Sequence, residues 1–307
     1  MTIERINLQN TPTVESVDHE DVVFRRQDFT LQGRLYRPAK RAERLPGVVV
    51  AGAWTTVKEQ MAGTYARALA QQGFAALAFD FTGWGASDGE PRYVENPAVK
   101  TADIAAAVDF LARRDDIDRE RIFGLGICAS SGYMAAVAAD NPMMMRLALV
   151  APWLHDPRMA EATYGGPEQV KTLIELGRDS QRANDAQVIV AASTKDERAL
   201  MFQAPYFTEA DRGLIAEYDN RFSVSSWEPW LTYDAQAVAD RLLVPTLIVC
   251  SESAALPAGA HAFAKRTKAP ATELWLDDVS QFDFYDRADV VTTSIAAVVD
   301  HFEGRAQ

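Results

Sequence analysis

Between Pro46 and Pro152 four uninterrupted apolar runs, PGVVVAG, GFAALAFD, RIFGLGI and RLALVAP, are separated by stretches of helical periodicity. A strand that is apolar at every position has no face to give to water and must be covered on both sides. Such strands alternating with helices predict a mostly parallel sheet flanked by helices, an α/β chain. The helices are expected from about Lys58 to Gln71, from about Lys100 to Arg113 and from Cys128 onward. The pattern stops at Pro152 and resumes with VPTLIVCSE (244–252), a helix from Ala258, ELWLDD (273–278) and a last helix to about His301. Ahead of it, DVVFRR (21–26) and FTLQGRLYRP (29–38) alternate with period two, which predicts an antiparallel hairpin. The expected organisation is therefore an N-terminal extension (1–20), a core built from 21–152 and 241–307, and a mainly helical insertion (153–240) that contains GGPEQVKTLIELGR.

Charge and motifs narrow the function. Lys and Arg number 31 against 43 Asp and Glu, a formal net charge of −12, and no basic run interrupts the acidity. Nucleic acid and anionic membranes are poor partners for such a surface. Two cysteines, Cys128 and Cys250, make no disulfide framework, and MTIERINLQN carries no basic and apolar leader, so a cytoplasmic setting is expected. There is no CxxC, HExxH, GxGxxG or GxxxxGK[ST] pattern, so neither a metal nor a cofactor is expected. The partner this leaves is a small-molecule substrate; a homodimer rests on analogy at the level of fold.

The chemistry is concentrated after the run RIFGLG. Gly126-Ile127-Cys128-Ala129-Ser130 fits a small-x-nucleophile-x-small turn between strand and helix, where the central residue is strained and its neighbours must be small. Cys128-Ala129-Ser130-Ser131-Gly132 fits the same template with Ser130 at the centre, although strand length favours Cys128. A thiol at a helix N-terminus is expected to have a lowered pKa. Acyl transfer also needs donors for an oxyanion. The backbone N–H of Ala129 is one, and the loop AGAWTTVKEQ is expected to supply another near Trp54. FDFTGWGASDGEP reads as scaffold turns and a helix cap, and Cys250 and Met143-Met144-Met145 as core.

GICASSGY, FDFTGWGASDGEP, VKEQ, PWLHDP and the terminal FDFYD together make residues 20–303 resemble the α/β-hydrolase superfamily, in a dienelactone-hydrolase-related branch with a cysteine nucleophile. The resemblance implies the α/β-hydrolase fold, a cap formed by the insertion, and a Cys-His-Asp triad. It also places the acid after VPTLIVCSE and the histidine after ELWLDD. The matching positions hold Ala254 and Gln281, so both partners of Cys128 are missing and the triad is degenerate. An amide takes up no proton near neutral pH. Gln281 is thus expected to bind or orient a substrate, and hydrolysis of a thioester would lack its base.

Two groups are candidates to replace that base. Glu59 follows the oxyanion loop, and related dienelactone hydrolases have a glutamate in this region that interacts with the cysteine; otherwise it is a first-turn helix carboxylate. His155 stands directly after RLALVAP, at the end of the sheet where α/β sites form, or else holds the insertion in place. Glu252, near the vacant acid position, reads as a loop residue. Trp54, Trp84 and Trp153 follow three strands and Trp227 and Trp230 lie in the insertion. With Phe202, Tyr206 and Phe222 they either wall an apolar cleft or pack the cap onto the core. The expectation is an enzyme acting through Cys128 on an ester, lactone or thioester of an apolar or aromatic small molecule. Its rivals are a non-hydrolytic lyase, isomerase or cyclase on the same scaffold and a ligand-binding protein without turnover.

Overall fold

A computed structural model describes residues 16–40, 44–183, 187–269 and 271–305; most of the N-terminal extension, residues 1–15, lies outside them. Its centre is an eight-stranded sheet of β1 (Val17–Arg26), β2 (Phe29–Pro38), β3 (Leu45–Ala51), β4 (Ala75–Phe79), β5 (Ile117–Ile127), β6 (Met144–Val150), β7 (Thr246–Cys250) and β8 (Ala271–Trp275). The spatial order is β1-β2-β4-β3-β5-β6-β7-β8. The hairpin β1–β2 and the β2–β4 pair are antiparallel and the remaining pairs are parallel, as the apolar runs require. Every residue of β3, β4 and β7 is buried, whereas β1 alternates and the edge strand β8 is only half-buried. β1 takes in the last four residues of the expected extension, because Val17 to Glu20 continue the ladder to Pro38.

The helices α1 (Met61–Ala70), α2 (Pro97–Ala112) and α3 (Ser130–Asp140) pack on the sheet, followed later by α6 (Pro257–Ala264) and α7 (Ala288–Phe302). α2 begins three residues ahead of its expected start because Asn96 caps it, its side chain accepting from the N–H groups of Ala98 (3.0 Å) and Val99 (3.2 Å), with Pro97 in the first turn. Between β6 and β7 the chain forms α4 (Pro157–Thr163), α5 (Pro167–Arg182) and several single turns. It also forms two small ladders, Val188–Val190 with Arg221–Ser223 and Ala192–Ser193 with Met201–Phe202. Strands of two or three residues are too short to show a period, so the sequence carries no sign of them.

One topological feature positions the site. From β3 the chain steps outward to β4 and then crosses to β5 on the other side of β3. The loops leaving β3 and β5 therefore part company, and the crevice between them at the carboxyl ends of the strands is where open α/β sheets bind ligands.

Candidate active site

Cys128 stands at the crevice with φ of +55°, in the left-handed region that a non-glycine residue rarely adopts. The turn is held by its own backbone: the Cys128 N–H donates to Val150 O (3.1 Å), and its carbonyl accepts from Ser131 N (3.0 Å) and Trp153 N (3.0 Å). A Cβ on Gly126 would come within 2.8 Å of Ser130 O and Ser131 Cα, so the helix can follow the strand this closely only past a glycine. The competing register is resolved by the same geometry. Ser130 opens α3, and its hydroxyl donates to Gly52 O (2.5 Å), buckling the helix start to the end of β3. Thr55 and Ala151, after β3 and β6, are also left-handed, with φ of +63° and +44°.

This buckle brings the loop after β3 over the thiol. The backbone N–H groups of Ala129 and Trp54 and the hydroxyl of Tyr285 all face Cys128 Sγ. The loop itself is braced: Thr56 Oγ1 donates to Ala53 O (2.6 Å), Gln60 Oε1 accepts from Val57 N (3.0 Å), and Gln60 Nε2 donates to Gly213 O (2.7 Å). Cys128 is only 7% exposed. Burial is the largest influence on it and pushes the thiol above its ordinary pKa, against the pull of Tyr285 and the two amides, and the negative charge of Glu95 adds to the rise. The expectation of a lowered pKa is overturned, because the loss of solvent outweighs the helix N-terminus.

Gln281 is buried and spans the site. Its Oε1 accepts from Ala255 N (3.0 Å), and its Nε2 donates to Ala151 O (2.9 Å) and to the Tyr285 hydroxyl (2.9 Å). Ala254 lies beside this contact in the loop after β7, its N–H on Ser251 O (3.1 Å). Glu252 points away and pairs with His261 (2.8 Å) at the surface.

The two candidate bases have other partners. Glu59 Oε1 pairs with Lys58 Nζ (2.9 Å), and Lys58 in turn meets Asp80 (2.7 Å). Burial opposes the Lys58 charge, but Asp80 and Glu59 more than offset it and hold the ammonium above its ordinary pKa. His155 is used at both ring nitrogens: Nδ1 accepts from Trp153 Nε1 (3.0 Å), so Nε2 carries the proton and donates to Trp230 O (2.9 Å). Burial lowers its pKa, which keeps it neutral. It ties the segment after β6 to the short helix Trp227–Leu231 rather than facing Cys128 as a base.

The aromatic residues pack on one another. Trp54 stacks on Trp230 (4.8 Å between centroids) and meets Phe222 edge-on (5.2 Å), and Phe222 meets Trp227 (5.2 Å). Trp84 is buried, with its indole N–H on Val94 O (3.2 Å), and Tyr206 packs on Tyr285 (5.1 Å). Phe202 is 42% exposed and walls nothing. These contacts pack the insertion onto the core, one of the two roles expected of the aromatic residues. A cleft of about 550 Å³ lies elsewhere, lined by Arg26, Phe29, Thr82, Val94, Asn96 and Ser225 among others. Trp54 Nε1 remains buried without a partner.

Sequence reasoning missed Tyr285, although it stands one helical turn after Gln281 within FDFYD, a spacing that puts two side chains on one face. It also missed a buried cluster whose charge reaches Cys128: Glu95, held by Lys100 Nζ (2.8 Å) and Tyr133 Oη (2.8 Å). In FDFTGWGASDGEP, Asp80 accepts from Lys58 N (2.8 Å) and Ala86 N (2.9 Å) as well as from Lys58 Nζ, a scaffold role.

The profile of the Hydrolase_4 family, serine aminopeptidase S33, matches residues 59–278. The uncharacterized protein PA2218 of Pseudomonas aeruginosa is 38% identical over 184 residues, 57% of this chain and 48% of its own length. The crystal structure of PA2218 superposes with a TM-score of 0.80 at 24% identity over the whole of both chains. The acyltransferase drtE of Aspergillus calidoustus is 30% identical over 141 residues, 46% of this chain and 45% of its own. The α/β hydrolase GrgF of Penicillium sp. sh18 superposes with a TM-score of 0.80 at 21% identity, covering 94% of this chain and 99% of that one. In sequence, then, the chain spans about half the length of PA2218 and of drtE.

Proposed function

The chain belongs to the serine aminopeptidase S33 family of hydrolases, and we propose that within it Cys128 accepts an acyl group from an ester, lactone or thioester of an apolar or aromatic small molecule and passes it to an acceptor other than water. One observation carries this reading. Three donors face the sulfur, while the amide at position 281 has both its ends engaged and is no base.

In the first step the Cys128 S–H attacks the acyl carbon of R–CO–X. The C–X bond breaks, R–CO–S–Cys128 forms, and the sulfur's proton leaves with X as H–X. The amides of Ala129 and Trp54 are suited to hold the oxyanion formed on the way. In the second step an acceptor H–Nu takes the acyl group and returns its proton to the sulfur. Water is the poorest acceptor here, since thioester hydrolysis draws on a general base. The unpartnered indole N–H of Trp54 is the kind of buried donor that a polar atom of an otherwise apolar ligand would satisfy. The similarity to an acyltransferase supports transfer over hydrolysis, and the quoted motifs support a dienelactone-hydrolase-related branch. A cytoplasmic setting fits two unpaired cysteines; among the described residues no helix is long and apolar enough to cross a membrane.

Intact-protein mass, read beside product release from aryl esters, acyl thioesters and lactones, tests the proposal, with Cys128→Ala as control. The expected result is one acyl adduct on Cys128, a burst near one equivalent and slow release. Steady turnover in water would overturn the transfer reading. The burial of Cys128 favours one rival, a ligand-binding protein; the absence of any adduct while an aromatic ester still binds would establish it.

A further inference from the structure

The hydrogen bonds around Gln281 have a fixed direction. A backbone N–H only donates and a carbonyl only accepts, so Ala255 N–H requires Oε1 on its side and Ala151 C=O requires Nε2 on the other. The amide orientation is therefore determined twice over. Nε2 then donates to the Tyr285 oxygen at 2.9 Å, which occupies a lone pair of the phenol and leaves its proton to be given elsewhere. Tyr285 is 2% exposed, with its ring clamped by Tyr206 and Phe207, and its hydroxyl faces Cys128 Sγ.

We infer that Tyr285 is a catalytic residue of this site: locked by Gln281, its hydroxyl donates to Cys128 Sγ, so a one-way chain of donors stands where a proton-accepting histidine would otherwise act. The chain runs from the Gln281 amide through the Tyr285 hydroxyl to the sulfur. Together with the amides of Ala129 and Trp54 it makes a cradle for negative charge on sulfur, and nothing in it withdraws a proton. Burial pushes the Tyr285 phenol well above its ordinary pKa, which keeps the hydroxyl a neutral donor across the working pH range. Held this way, negative charge that builds on the sulfur is stabilised although burial keeps the resting thiol above its ordinary pKa, and among the described groups of this chain none activates water against the thioester that results. The inference deepens the acyl-transfer reading and rests on it for its biological meaning, but its physical content concerns the sulfur alone.

The test is the pH profile of alkylation of Cys128 by iodoacetamide, followed by mass on the peptide that carries it. Tyr285→Phe keeps the ring and removes the hydroxyl. The expected result is a midpoint moved to higher pH and alkylation at pH 8 slowed about tenfold, the effect of one lost hydrogen bond to a charged atom. Gln281→Leu is expected to move the midpoint the same way by less, because the phenol loses only its orienting donor. Near-UV circular dichroism checks that both variants keep their packing, and if Tyr285→Phe loses it, the Gln281→Leu profile decides alone. An unchanged midpoint in the folded variants, or one moved to lower pH, would overturn the inference. Alkylation needs no acyl substrate, so shifted profiles without an acyl adduct on the parent protein would sink the proposed function and leave this inference standing. An adduct with unshifted profiles would do the reverse.

Discussion

The two halves of the site hang from different parts of the sheet and are built from different groups. The half at the ends of β3 and β5 has the left-handed Cys128, the Ala129 and Trp54 amides and the Ser130–Gly52 buckle. The half at the ends of β7 and β8 has Ala254 and Gln281 where the resembled family would hold a carboxylate and an imidazole. The first half sits on β3 and the buried carboxyl-terminal stretch of β5 at the centre of the sheet, the second on buried β7 and the half-buried edge strand β8. The contrast teaches that charge stabilisation and proton transfer are separable parts of such a site. Backbone amides are placed by the fold itself, whereas an acid and a base are side chains that substitution can remove.

The contrast can be broken or sharpened by measurement. Cys128→Ala should abolish acyl labelling altogether while leaving the thermal midpoint within a few degrees; labelling that persists would move the nucleophile away from the elbow. The pair Ala254→Asp with Gln281→His should raise release of the acyl group into water about a hundredfold or more, the usual worth of a general base. A folded double mutant that still stalls would count against the alignment of those two positions. Beside the first half, Asp80→Ala removes the main partner of the buried Lys58 ammonium and should cost about 3 kcal/mol in denaturant unfolding. A loss under 1 kcal/mol would mean that Glu59 alone holds the lysine.

The smallest effect is a pH dependence of stability outside both halves. Burial lowers the pKa of His155 and of His301, the latter to about 4, from an ordinary 6.5. The neutral forms are favoured in the folded protein, so the full stability is present above about pH 6.5 and falls as the pH drops through 6.5 toward 4. His301→Gln should flatten part of that slope in chemical denaturation at a series of pH values, and an unchanged slope would exclude His301 as its source.

How legible all this was depends on whether the determinant was local. Uniformly apolar runs announce parallel strands because a strand that is oily on both faces has nowhere else to go. The sequence Gly126-Ile127-Cys128 announces a tight turn because the crowding is between near neighbours. The direction of the Cys128 pKa was misread, since the helix start is local but the burial comes from residues distant in the chain. Tyr285 went unassigned for the same reason: its part depends on meeting Cys128 across the sheet. His155 carried the composition of a base, and only the positions of Trp153 and Trp230 show both of its nitrogens engaged.

Three adjacent strands, β3, β5 and β6, lead at their carboxyl ends into Thr55, Cys128 and Ala151, each in a conformation that side chains resist. At about 1 kcal/mol apiece, this rim holds a reserve of robustness that glycine at Thr55 or Ala151 would release. A protein engineer seeking a tougher scaffold would find it there, and would be loosening the walls on either side of Cys128 in the act of taking it.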